Sequence, residues 1–227
     1  MGRDGWFGYH GTWAWVDLTS HVVRIEPADA EVCRQYIGGR GVQAHLVAQK
    51  VASLAPLGNP LSPDNRLVIG SGPLNDAAVA TAGRGSCTFI SPVTWSAQPA
   101  PWIPGHTPIH GLLTHSSAGG LFPNMLKRSG IDHLVIDGRA DEPVRLVVTG
   151  EGVVIVDAEP ELFEEVGGLR SLRPASAIAE YLAARHPGSA TVSTGPAGWN
   201  LVPYACLTND RHRNFGRGGA GAVFGSK

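Results

Sequence analysis

Polar and apolar positions alternate through the stretch WAWVDLTSHVVRIEP, at Trp13, Trp15, Val22 and Ile25, and predict two strands around a turn at Thr19 and Ser20. The pattern then changes period. ADAEVCRQYIGG places acidic residues before an apolar stripe and stops at Gly38, the signature of a short helix, and GVQAHLVAQKV continues as a second one. NRLVIGSGPL and GRGSCTFISP read as buried strands, the first running into a Gly-Pro turn and the second ended by Pro92. The proline-rich stretch from Val93 to His110 predicts a loop, GLFPNMLKRSG a short helix and DHLVIDGRA a strand.

The pattern restarts in the second half. VRLVVTGEGVVIVDAE has two β-branched runs around Gly150-Glu151-Gly152 and predicts a hairpin. PASAIAEYLAARHPG follows as a helix and ATVSTGPAGWN as a strand into another Gly-Pro turn. Hairpin, helix, strand, Gly-Pro and Gly-Arg-Gly thus describe residues 13–85 and again residues 144–218. The expectation is one α+β domain over residues 1–227, an internally duplicated hairpin–helix–strand unit forming a β-rich platform, with pseudo-repeats at about 1–140 and 141–227.

Composition narrows the class. A chain of 227 residues that is 43% hydrophobic can bury a core. Its 18 basic and 19 acidic side chains nearly cancel, which argues against nucleic acid or an anionic membrane as partner. No apolar run is long enough to span a bilayer and the start lacks a signal-peptide core, so the expected location is the cytoplasm. Cys33, Cys87 and Cys206 are dispersed and cannot hold a metal cluster alone, so any iron–sulfur chemistry must come from elsewhere.

Candidate chemistry lies in the glycine turns. Glycine lets the backbone approach a ligand and expose N–H donors, and an arginine among glycines adds a planar fork suited to phosphate or a heterocycle edge. Arg40, Arg84 and Arg217 all have such settings, against the simpler reading of solvated turns. Two duplicated loops imply a ligand with two related halves. Gly216, Gly218 and Gly221 match the dinucleotide fingerprint, but that motif needs a following helix and an acidic residue about 20 positions on, so it is set aside. His106 and His110 are separated by Pro108 and read as a loop pair rather than metal ligands. Glu161, Glu164 and Glu165 read as a solvated turn or helix start. No serine–histidine–acid order or phosphate-binding Walker motif is present.

In order along the chain, YIGGRG, NPLSPDNRLVIGSGPL, GRGSCTFISP, SSAGGLFPNMLKRSGIDHLVIDGRADEPVRLVV and STGPAGWNLVPYACLTNDRHRNFGRGGAGAVFGSK resemble the N-terminal domain of the tungsten-dependent aldehyde ferredoxin oxidoreductase family. The resemblance implies an α+β base for a bis-pyranopterin tungsten cofactor, or its molybdenum analogue. It also implies that further helical domains or a partner subunit carry the [4Fe–4S] cluster and pass electrons to ferredoxin. By residue, Arg84 matches the arginine between pterin and cluster. Ser117, ahead of Gly119 and Gly120, and Asn214 match the positions whose carbonyls bind a magnesium ion between the pterin phosphates, which makes them the metal candidates. Arg213, Arg217 and Gly218 match the tail that faces the cofactor, and Arg40 lies in a comparable glycine turn. The 93–110 stretch is an insertion relative to the family, and Gly85, Ser86 and Ile90 replace its usual residues. The implied reaction is oxidation of an aldehyde to a carboxylic acid, with this chain alone inactive. The competing expectation is a stand-alone, non-catalytic binding or carrier protein on the same fold.

Overall fold

In the computed structural model residues 8–52, 59–77, 79–93 and 112–227 are described. The first hairpin pairs β1 (Thr12–Asp17) with β2 (Val22–Pro27). Its turn is set by Asp17, whose Oδ1 accepts from the backbone N–H of Thr19 at 2.9 Å. α1 (Ala30–Tyr36) is capped by the Asp29 carboxylate, which accepts from the N–H groups of Glu31 and Val32, and α2 (Arg40–Ala52) follows after Gly38 and Gly39. β3 (Leu67–Gly70), β4 (Gly85–Ile90) and β5 (Leu113–Ala118) form an antiparallel meander. α3 (Phe122–Arg128) then leads into β6 (His133–Asp137), which pairs parallel with β1 and antiparallel with β3. One six-stranded sheet results, in the order β2-β1-β6-β3-β4-β5.

Strand periodicity divides the core between the two faces of this sheet. Trp13, Val68 and Val135 point to the side covered by α1 and α2, where they meet Cys33, Val42, Leu46 and Val47. Their neighbours Ala14, Ile69, Leu134 and Ile136 point to the other side and pack with Cys87, Phe89, Leu207, Phe215 and Val223. The second half therefore supplies the lid of the first half's core.

That second half consists of β7 (Val144–Thr149) and β8 (Gly152–Asp157) as a separate hairpin, and a 3₁₀ turn, Pro160–Leu162. Another hairpin follows, β9 (Phe163–Val166) with β10 (Leu169–Leu172), and then α4 (Ala175–Arg185). A second meander, β11 (Val192–Ser193), β12 (Leu207–Asn209) and β13 (Arg213–Phe215), is interrupted by α5 (Pro196–Trp199) and closed by α6 (Ala220–Gly225).

The class is α+β, as the sequence implied. Two local readings change. Glu164 and Glu165 stand on β9 rather than at a helix start. In the glycine-rich tail a helix, α6, does follow Gly216 to Gly219, though one of only six residues. The proline-rich insertion and the His106–His110 pair fall almost wholly outside the described residues. Among the described residues no helix is long and apolar enough to cross a membrane.

Candidate functional site

The glycine and arginine segments meet around β5, the edge strand of the large sheet. β5 pairs Thr88 with His115 and Ser86 with Ser117, which places these four on the face toward α2. The intervening Thr114 and Ser116 point toward the second half.

The start of α2 is fixed to the sheet by hydrogen bonds. Gln43, fully buried one turn into the helix, accepts through Oε1 from Ser86 Oγ and Thr88 Oγ1, both at 3.0 Å. Its Nε2 donates to the Ser86 carbonyl at 3.0 Å. Buried amides are costly unless paired, and this one is paired through both ends. The same helix start brings Arg40 Nη1 to 3.0 Å from His115 Nε2. Burial, and then the charge of Arg40, holds the His115 pKa below its ordinary value.

Arg84, immediately ahead of β4, donates from Nη2 to the Ser117 carbonyl at 2.8 Å. Beyond β5 the chain turns at Gly120, whose φ of +110° suits glycine, and a side chain there would meet Asn209 Nδ2 at 2.6 Å. Asn209 in turn donates to the Gly119 carbonyl at 2.6 Å, and Asp210 accepts from the Leu121 N–H at 2.9 Å. These contacts dock the first-half turn onto the second-half meander.

From the other side β13 packs against β5. The Arg217 N–H donates to Ser116 Oγ at 3.3 Å, and Ser91 Oγ donates to the Gly218 carbonyl at 2.8 Å. Gly218 has φ +85°, and a Cβ there would lie 2.4 Å from Thr114 Cγ2, so the tail can lie this close to β5 only with glycine at that position. The structure thus brings Arg40, Arg84, Ser117, Gly119, Gly120, Arg217 and Gly218 into one contact group along β5. Arg213 and Asn214 stand on β13 beside it; the Asn214 side chain accepts from Thr208 Oγ1 at 2.9 Å.

The arginines divide by partner. Arg24, Arg34, Arg66, Arg128, Arg145, Arg185 and Arg211 each face a carboxylate. Among the described residues Arg40, Arg84, Arg213 and Arg217 have no carboxylate partner and are exposed; Arg139, Arg170 and Arg173 lack one too, but Arg139 and Arg173 are held on backbone carbonyls and Arg170 lies over the Phe163 ring. Guanidinia drawn from α2, the turn before β4, and β13 with the turn after it flank the β5 edge and are suited to a multiply charged anion. The thiols do not add to it: burial raises Cys33 to about 11 and Cys87 to about 12. Among the described residues no group of three histidine, cysteine or acidic side chains could hold a metal ion.

His115, Gln43, Asn209 and Asp210 escaped the sequence reading. Asn209 and Asp210 adjoin the nominated tail, so proximity to it was the available signal. For His115 and Gln43 it was only their spacing from Ser117 and Arg40.

Comparison with known proteins adds the following. The family profile "Aldehyde ferredoxin oxidoreductase, N-terminal domain" matches residues 13–101 and 102–227. The tungsten-containing aldehyde ferredoxin oxidoreductase of Pyrococcus furiosus is 32% identical over 221 residues, covering 97% of this chain and 32% of that protein. The protein of the same name from Thermococcus kodakarensis is 31% identical over the same shares. The WOR-like subunit of an aliphatic sulfonate oxidoreductase from Pyrococcus furiosus is 27% identical, covering 97% of this chain and 33% of that one. Among solved structures, a chain of the active site complex BamBC of benzoyl coenzyme A reductase with 1,5-dienoyl-CoA aligns with a TM-score of 0.79 at 27% identity. The alignment covers 97% of this chain and 30% of that chain. The chain thus spans about a third of the length of the curated relatives it matches.

Proposed function

The chain belongs to the aldehyde ferredoxin oxidoreductase family, in the part described as its N-terminal domain, and on that premise we propose that its β5 edge binds an anionic bis-pyranopterin cofactor of tungsten, or of molybdenum. The reading rests on one observation above all: Arg40, Arg84, Arg213 and Arg217 gather on or beside β5 without a carboxylate among the described residues. The two pseudo-repeats, about 1–140 and 141–227, offer Gly83-Arg84-Gly85 and Gly216-Arg217-Gly218 to this edge. That pairing suits a ligand with two related halves.

The donor set fits the phosphate and ring edges of such a cofactor, since guanidinium forks and exposed turn N–H groups bind planar and tetrahedral anions. Magnesium at the carbonyls of Ser117 and Asn214 fits less simply. The Ser117 carbonyl already accepts from Arg84, so a divalent cation there would share the oxygen with a guanidinium and repel it. A magnesium ion there would require Arg84 to release the Ser117 carbonyl. When bound, the cofactor supplies the metal centre for oxidising an aldehyde to a carboxylic acid. This chain's part is to hold and orient it, while further domains or a partner subunit bring the [4Fe–4S] cluster and the route to ferredoxin. The proposed site of action is the cytoplasm.

The test uses the complete oxidoreductase. Arg84→Ala and Arg217→Ala should each lose most of the bound tungsten and pterin, read by elemental analysis and pterin fluorescence. Thermal stability should stay within about 0.5 kcal/mol of the parent, because exposed arginines contribute little to folding. Full tungsten and pterin content in both variants would overturn the proposal.

A further inference from the structure

The oxygens that a divalent cation would need along the β5 edge are already engaged. Magnesium seeks hard oxygen donors in a near-octahedral array, is held through carboxylates and phosphates, and gives up its waters reluctantly. The Ser117 carbonyl accepts from Arg84 Nη2 at 2.8 Å. The Gly119 carbonyl accepts from Asn209 Nδ2 at 2.6 Å, and the Asn214 side-chain oxygen from Thr208 Oγ1 at 2.9 Å. Asp210 adjoins the site, but its Oδ1 accepts from the Thr191 N–H at 3.1 Å and its Oδ2 from the Leu121 N–H at 2.9 Å. Asn209 Oδ1 has no partner among the described residues, yet that residue is fully buried in the seam. These donors fit phosphate and do not fit magnesium.

We propose that the Arg84 guanidinium takes the place of a divalent cation at this edge: held on the Ser117 carbonyl, it is itself the positive bridge to the ligand's phosphates, and the cofactor is bound without magnesium. A guanidinium carries five N–H donors in a planar fork, so the bond to Ser117 leaves the others for phosphate oxygens. A carbonyl oxygen shared with a dication would set two positive charges a few ångströms apart, where they repel, so guanidinium and metal ion exclude each other. Charge agrees with this assignment. Two phosphate monoesters together carry about −3 to −4 near neutral pH. Arg40, Arg84, Arg213 and Arg217 bring four positive charges without a carboxylate partner among the described residues, and the sum closes with no metal ion. The inference rests on the reading that this edge binds a bis-pyranopterin, and adds what neutralises its phosphates.

Tungsten, pterin and magnesium are counted together in the complete oxidoreductase, purified and washed free of loosely held metal. The parent should contain less than about 0.1 magnesium per tungsten, and EDTA should leave its tungsten in place. Arg84→Ala frees the Ser117 carbonyl. Prepared without magnesium, that variant should lose most of its tungsten; reconstitution in excess magnesium chloride should raise its tungsten content at least about threefold, because the ion can then occupy the vacated oxygen. Magnesium should not change the parent, nor rescue Arg217→Ala, in which Arg84 still holds the carbonyl. One magnesium per tungsten in the parent, loss of its tungsten to EDTA, or an Arg84→Ala variant that magnesium fails to rescue would each overturn the inference. The two proposals fail distinguishably. Stoichiometric magnesium in a tungsten-loaded parent removes the role given to Arg84 and leaves the cofactor reading standing, whereas full tungsten in both Arg84→Ala and Arg217→Ala prepared without magnesium removes the cofactor reading and this inference with it.

Discussion

The first half of the chain ties its hairpin and its meander into one sheet, and the second half leaves the same two elements as separate sheets. The difference is one strand. β6 lies between β1 and β3 and hydrogen-bonds to both, whereas no described strand lies between β7 and β11. Burial follows: β3 and β4 are buried at every position, while β7 is at best half-buried and Val154 on β8 is 55% exposed. The first half is thus a scaffold. The second half is an appendage whose meander and α6 are held by docking Leu207, Phe215, Ala220 and Val223 into the scaffold's core. The candidate site lies along their seam at β5, where a rigid strand meets turns drawn from both halves.

Glycines break this comparison most sharply. Gly70 lies on β3, where a Cβ would fall 2.0 Å from His133 Nδ1 and 2.5 Å from the Asp132 carbonyl oxygen. Both are buried, and neither can retreat without disturbing β6. Gly70→Ala should cost about 3 kcal/mol or more, as overpacking does in a core that cannot yield. Gly150, in the β7–β8 turn, has nothing within 4 Å. Gly150→Ala should be neutral or slightly stabilising, by at most about 1 kcal/mol. Urea denaturation measures both, and similar costs would erase the distinction between scaffold and appendage.

A pH effect of the next size belongs to the scaffold alone. His133 on β6 packs edge-on to Trp13 with ring centroids 6.2 Å apart, and burial, with a smaller contribution from Lys127, lowers its pKa to about 3. The unfolded chain then binds more protons than the folded one between about pH 6.5 and 3. Stability is complete above that window and falls as pH drops through it, by up to about 1.4 kcal/mol per unit. His133→Gln should be less stable at pH 7 but lose less between pH 7 and 5. An unchanged pH slope in that variant would show that His133 is not the group responsible. His115 acts with the same sign and survives in both proteins, so the difference between them isolates His133.

At the seam, the expected cost is intermediate. Gly218→Ala forces a side chain into a left-handed backbone and against Thr114, and should cost about 1–3 kcal/mol while shifting the Arg217 N–H off Ser116. Gly216→Ala, two residues earlier and with open space around it, should change stability by less than about 0.5 kcal/mol. Equal effects would mean that close approach to β5 does not fix the tail.

These contrasts also mark how far the sequence alone reaches. β1, β2, β3, β6, β7 and β8 carry apolar alternation or β-branched runs and are legible as strands. β5, with the sequence LTHSSA, has no such pattern; pairing with β4 makes it a strand, and that pairing depends on residues far away. The same holds for β9, where Glu164 and Glu165 pair with Ser171 and Arg170, and for β13 with its Arg-Asn-Phe. α6 is six residues including two glycines, too weak a helix by propensity, and it forms because Ala220, Ala222 and Val223 are buried. For the site, glycine turns and their arginines were legible because local chemistry requires them. Their convergence, and the choice of His115 as partner for Arg40, come from tertiary pairing that no local pattern encodes.

The smallest expected effect compares the ion pairs of the two hairpin regions. Arg24 and Glu26 on β2 lie 3.2 Å apart with side chains 64% and 43% exposed. Water competes for both, and a double-mutant cycle should give a coupling below about 0.5 kcal/mol, reduced further by salt. Arg145 on β7 meets Glu159 just beyond β8 with side chains only 20% and 26% exposed, and Arg145 Nε and Glu159 Oε2 are buried without a partner among the described residues. A half-buried pair with unmet atoms has paid desolvation without full return, so its coupling should be larger but modest, about 1 kcal/mol. Removing one partner should cost more than removing both, because a lone half-buried charge is worse than none. The β7–β8 hairpin has no strand like β6 alongside it among the described residues, and this contact pins its end to the chain leading into β9. Equal couplings for the two pairs, or an Arg145→Ala cost no greater than that of the Arg145→Ala, Glu159→Ala double variant, would show that the second hairpin is held by its apolar contacts alone.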